Sequence, residues 1–106
     1  MYLLFIETPV FTYEIHKLLP DDQYRILQKE LIFRPDAGSI IPGGQGLRKI
    51  RWSLPGAGKR GRLRIIYYFD KPSTIYMLFP YKKNRQENLT HQQLKHLTVI
   101  IKEYLE

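Results

Sequence analysis

Two periodicities divide this chain. A spacing near 3.6 governs residues 8–33 and 90–104, and a spacing of two governs much of 47–81. Ahead of both stands the apolar run Tyr2-Leu3-Leu4-Phe5-Ile6, which ends at Glu7 and has the length of a buried strand. Thr8-Pro9 then sets an N-cap before a proline at the first helical position. Phe11, Ile15, Leu18 and Leu19 share one helical face as far as the break at Pro20. Asp21 is placed to cap a second helix, in which Tyr24, Leu27 and Leu31 recur at helical spacing. Arg34-Pro35-Asp36-Ala37-Gly38 ends it. Two helices joined by so short a connection form an antiparallel hairpin.

Residues 38–46 (GSIIPGGQG) are rich in glycine and proline and read as a turn, neither helix nor strand. From Leu47 to Leu54 the chain alternates, with Arg48, Ile50, Trp52 and Leu54 on one face and Lys49, Arg51 and Ser53 on the other. Pro55 to Gly61 is a flexible loop. Arg62 to Asp70 is rich in β-branched and aromatic residues, and Lys71-Pro72-Ser73 turns it into a strand from Thr74 to Tyr81. These three strands predict an antiparallel meander. Thr90 and Gln93 make a capping box, followed by the apolar stripe Leu94, Leu97, Ile101 and Tyr104. The predicted order is β-α-α-β-β-β-α: a single α+β domain over residues 1–106, with helices against a mostly antiparallel four-stranded sheet.

Composition narrows the function. The leading apolar run is too short for a signal-peptide core or a membrane span. With no cysteine there is no disulfide framework and no thiolate chemistry, which points to a cytoplasmic setting. The net charge is +7, and its distribution is uneven. Residues 48–64 hold seven of the 17 basic residues and none of the 10 acidic ones, so the rest of the chain is neutral. A block this local is a candidate anion site, whereas the plainer reading is a solvated basic loop.

Gly56-Ala57-Gly58-Lys59 invites comparison with a phosphate-binding P-loop but does not fit one. The first glycine of that motif would fall on Ser53, Arg60 follows the lysine, and the loop leads into a strand. His16, His91 and His96 read as ordinary surface histidines, and no acidic residue accompanies the basic block, so neither metal nor cofactor is expected. Strand geometry instead gathers the cations: Lys49 and Arg51 share a face, as do Arg62 and Arg64, while Leu63, Ile65 and Tyr67 take the other side. Arg64 is expected at a surface-facing position. Lys59 and Arg60 lie in the loop above, and Lys82, Lys83 and Arg85 follow the last strand. Like charges so crowded repel unless an anion offsets them, which favours a polyanionic partner. Tyr67, Tyr68, Tyr76 and Tyr81 are candidate stacking faces for bases, although Tyr67 and Tyr76 also follow core periodicity. No helix carries a row of basic residues for a major groove, so RNA is the better-fitting nucleic acid. Its metal-independent cleavage needs a base for the 2′-hydroxyl, cations for the phosphate and a proton donor to the leaving oxygen.

The run LRKIR…GxGKRG…RIIYYF, with Tyr81-Lys82-Lys83-Asn84 and Asn88-Leu89-Thr90, resembles the RelE/HigB family of bacterial toxins, most closely its HigB-type branch. The likeness extends over nearly the whole chain. It implies a RelE/ParE-like fold and a ribosome-dependent, metal-independent mRNA endonuclease, the toxin of a type II toxin–antitoxin pair. The implied partners are a HigA-type helix-turn-helix antitoxin, ribosomal RNA and mRNA in the decoding site, and operator DNA only through the antitoxin.

By the same resemblance, catalytic roles fall on Lys49, Arg51, Lys59, Arg64, Tyr81 and Lys83, with Arg64 holding the scissile phosphate. RNA-gripping roles fall on Arg48, Arg60, Arg62, Lys82, Asn84 and Arg85. RelE-type members carry an arginine where this chain has Asn84 and a tyrosine where it has Thr90. The general acid is then sought among Lys83, Lys59 and Tyr81. Two other readings compete with the RNase: a ParE-like gyrase poison and a non-catalytic RNA- or ribosome-binding module.

Overall fold

A computed structural model describes residues 3–106; Met1, Tyr2 and the side chain of Arg60 lie outside the described residues. The elements run β1 (Leu4–Glu7), α1 (Pro9–Leu18), α2 (Asp21–Phe33), β2 (Ser39–Ile40), β3 (Arg48–Ser53), β4 (Arg62–Asp70), β5 (Thr74–Lys82) and α3 (His91–Leu105), with a 3₁₀ turn at Gly58–Gly61 before β4. The sheet order is β1-β5-β4-β3-β2, with β1 parallel to β5 and every other pair antiparallel. The sheet therefore has five strands rather than four. Ser39–Ile40 pairs with Lys49 and Arg48 inside the segment read as a turn, because Gly38 lets the chain pass close to β3. Among the described residues no helix is long and apolar enough to cross a membrane.

Period-two patterning splits the sheet between two cores. On one face Ile50, Leu63, Ile65, Tyr67, Ile75 and Met77 pack with Phe11 and Ile15 of α1 and Leu27 and Leu31 of α2. On the other, Leu47, Ile66, Tyr76, Leu78 and Tyr81 pack with Leu97 and Ile101 of α3. A register shift between β4 and β5 beside Ile66 and Tyr67 lets the successive residues Leu78 and Phe79 both serve the α3 side. The helix starts behave unequally. Thr8 caps α1 by accepting from the Phe11 amide, and the capping box of Thr90 and Gln93 is complete. Asp21 is not a cap. Pro20 occupies that position without a side-chain bond, and Asp21 and Asp22 lie in the first turn, where their charge favours the helix dipole.

The exit from α2 is bound to the sheet by polar contacts. The Tyr67 hydroxyl donates to the Pro35 carbonyl (2.8 Å) and accepts from the Gly38 amide (2.8 Å). Arg48 donates to the carbonyls of Asp36 (3.2 Å) and Gly38 (2.8 Å). A Cβ on Gly38 would stand 2.7 Å from Tyr67 Cε1 and 3.0 Å from the Lys49 backbone, so only glycine allows this approach. Gly38→Ala is expected to cost about 2 kcal/mol through overpacking, read as a lower urea midpoint with an unchanged slope. A midpoint equal to the parent's would show that the segment shifts freely and that its docking is not rigid.

Candidate nucleic-acid interface

Strand pairing assembles the cationic face that alternation predicts. Arg51 stands directly opposite Arg64, and Ser53 opposite Arg62. Lys49, Arg51, Arg62 and Arg64 thus share the side of β3 and β4 that carries Ile66, and Tyr81 of β5 extends it as the cross-strand partner of Arg64. Like charges directly opposite on one face are destabilising. Among the described residues the ion pairs are His16–Asp21 and Lys17–Glu14, both far along the chain from this face. Among those residues, nothing acidic pairs with the cluster.

Arg64 departs from its expected position. The residue is buried, at 8% exposure, rather than surface-facing. Among the described residues the one hydrogen-bond partner of its side chain is the Leu63 carbonyl, to which Nη1 donates (3.2 Å). Tyr81 beside it is 5% exposed, and its ring stacks on Phe79 with centroids 5.9 Å apart. Its hydroxyl is buried without a hydrogen-bond partner among the described residues. Burial pushes this phenol above its ordinary range and the neighbouring Arg64 charge pulls it back, with a net rise. Tyr81 therefore remains a proton-carrying donor at neutral pH. A buried guanidinium with no carboxylate, next to a buried hydroxyl with no acceptor, is an arrangement that an anion would complete. The other buried orphan among the described residues, Trp52 Nε1, belongs to a residue packed against the first core, on the opposite face.

The remaining candidates spread around this pair. Lys49 is half-buried and its Nζ donates to Asn88 Oδ1 (3.1 Å). Lys49, Arg51 and Asn88 line a cleft of about 700 Å³ that also includes Leu89 and Leu94. Lys59 is exposed in the 3₁₀ turn, and the role expected of Arg60 lies outside what its described backbone settles. Arg62 is exposed at the start of β4, and the Lys83 amide donates to its carbonyl (3.0 Å), which brings Lys83 to the same end of the sheet. Asn84 and Arg85 are exposed just past β5. Two candidates sit elsewhere. Lys82 pairs with Leu63, on the face of the first core. Arg48 pairs with Tyr67 and spends its guanidinium on the two carbonyls of the α2 exit.

The expected stacking faces change too. Tyr67 is fully buried in the first core, and Tyr76 is buried against Tyr104, so neither offers a free ring. Sequence reasoning also missed Asn88 as a polar partner of Lys49. No periodicity marks that pairing, since the two residues are brought together only by the fold.

Comparison with known proteins follows the same lines. A solved structure of the E. coli toxin RelE in the free state, a double mutant with two arginines changed to alanine, superposes with a TM-score of 0.58. The match covers 93% of this chain and 96% of that one at 18% identity, a likeness of fold. A family model described as the RelE toxin of the RelE/RelB toxin–antitoxin system matches residues 36–106, the part that carries β2 to α3 and the whole cationic face. The chain belongs to the RelE toxin family.

Proposed function

We propose that this protein is the toxin of a type II toxin–antitoxin pair and that it cuts mRNA on the ribosome without a metal ion. The observation that carries the reading is the buried guanidinium of Arg64 opposite the buried hydroxyl of Tyr81, the one without a carboxylate and the other without a hydrogen-bond partner among the described residues. In this reading Arg64 binds the scissile phosphate, where exclusion of water strengthens its attraction for charge that builds up in the transition state. The 2′-oxygen bonds to phosphorus as the P–O5′ bond breaks. The 2′-proton passes to a general base at the rim of the site, and the departing O5′ takes a proton from Tyr81. Lys59 and Lys83 are the rim lysines, and Lys49 and Arg51 hold the adjoining backbone. The products are a 2′,3′-cyclic phosphate and a 5′-hydroxyl.

Partners follow from the same reading. A polycationic face suits the ribosomal RNA around the decoding site, and a helix-turn-helix antitoxin of the HigA type would restrain the toxin and carry the complex to operator DNA. Such work takes place in the cytoplasm. Induced expression with and without co-expressed antitoxin, followed by mapping of mRNA ends, tests the proposal. The expected result is growth arrest relieved by antitoxin, with new 5′-hydroxyl ends phased to codons. Arrest without such ends would overturn the RNase reading in favour of a gyrase poison. Unimpaired growth would leave a binding module.

A further inference from the structure

One of the two cations that line the cleft is not free to wander. Among the described residues, Lys49 is the one basic residue of β3 or β4 whose side chain meets a side-chain acceptor, and that acceptor is Asn88, 39 positions along the chain. Asn88 is itself held. Gln86 Nε2 donates to the Asn88 carbonyl (3.0 Å) and to Gln93 Oε1 (2.8 Å). Gln93 Nε2 returns a longer bond to Gln86 Oε1 (3.4 Å). The same Gln93 closes the α3 capping box, accepting from the Thr90 amide (2.9 Å) while its own amide donates to Thr90 Oγ1 (3.0 Å). A continuous set of bonds thus runs from the first turn of α3 to Lys49 Nζ.

We propose that Asn88 is a positioning residue, which fixes Lys49 at the mouth of the cleft so that RNA phosphate meets an ordered cation; this rests on the functional reading above. A lysine left free gives up much rotamer freedom when it binds, and an ordered one gives up little. The chemistry of the tether matters. A carboxylate at 88 would hold Lys49 more tightly and cancel its charge, whereas an amide oxygen holds it and leaves the charge for the ligand. Asn88 is exposed and lies before α3 begins, so its side chain contributes to neither core.

A double-mutant cycle with Lys49 separates tethering from a structural role. Affinity for a short fluorescein-labelled single-stranded RNA is measured by anisotropy across a salt series. Asn88→Ala is expected to weaken binding about fivefold, comparable to the loss of one hydrogen bond, and to do nothing further when residue 49 is already alanine. Asn88→Asp should weaken binding as well and lower the salt slope by about 0.7, as expected when an internal ion pair takes one cation away from phosphate. If Asn88→Ala costs as much with alanine at 49 as with lysine, or costs nothing with lysine, the tether is overturned. A chain that binds RNA with the expected coupling but leaves ribosome-bound mRNA uncut would overturn the cleavage reading alone.

Discussion

Arg64→Met is expected to lower cleavage of ribosome-bound mRNA by about a thousandfold, in the range found when one electrostatic transition-state interaction is removed. The same variant is expected to be at least as stable as the parent. Arg64 is buried at 8% exposure, its side chain makes one hydrogen bond among the described residues, to the adjacent carbonyl, and it faces Arg51 directly across the β3–β4 ladder. Its charge is desolvated and repelled in the free protein, with no carboxylate among the described residues to offset either cost. Methionine keeps a long flexible stem for packing and removes the charge, which should raise stability by up to about 2 kcal/mol. Arg64→Lys should fall between the two, since it keeps the charge and loses the planar fork that matches a phosphate.

Urea denaturation and primer extension on the same preparations check both halves of this expectation. A loss of about 2 kcal/mol or more on Arg64→Met would show that the guanidinium is structural, and undiminished cutting would remove it from the site. Higher stability with impaired cutting is the signature of a residue whose strained environment serves a ligand.

The contrast between Arg64 and Arg48 shows what local pattern conveys and where it stops. Period-two alternation placed Lys49 and Arg51 together, and Arg62 with Arg64, because side-chain direction in a strand is fixed by the pleat. Strand bounds from Arg62 to Asp70, the Thr8 cap and the Thr90–Gln93 box were legible for the same reason: each depends on neighbours a few residues away. Depth is another matter. Alternation does not say how far a face is covered, so Arg64 read as exposed although it is buried beside Tyr81, on the face of the sheet against which α3 packs. Arg48 sits in the same basic run, yet its partners are the carbonyls of Asp36 and Gly38, which reach it only because Gly38 lies against Tyr67. The two-residue strand Ser39–Ile40 escaped for a similar reason, since its pairing is dictated by β3 rather than by its own composition. Tyr67 satisfied core periodicity and stacking chemistry equally well in the sequence. Its hydroxyl bonds to Pro35 and Gly38 settle it as core.

Tyr81→Phe is the sharper test of the chemistry, because it changes one oxygen and little else. The ring that stacks on Phe79 is retained, and the atom removed is a buried hydroxyl with no partner among the described residues. Losing an unsatisfied buried group does not cost stability, so the variant should unfold at the parent's urea midpoint or above it. Its affinity for RNA should stay within about threefold, since a neutral hydroxyl adds little to phosphate attraction that Lys49, Arg51 and Arg64 supply. Cleavage should fall by about a hundredfold, as expected when a general acid is removed. The leaving atom provides the control. A message with sulfur in place of the bridging 5′-oxygen releases a thiolate, which departs without a proton. On that substrate the parent and Tyr81→Phe should cut at equal rates, because the step served by the hydroxyl is no longer needed. A deficit that persisted with sulfur would show that Tyr81 positions Arg64 or the phosphate rather than donating the proton, and would pass the acid to Lys83 or Lys59.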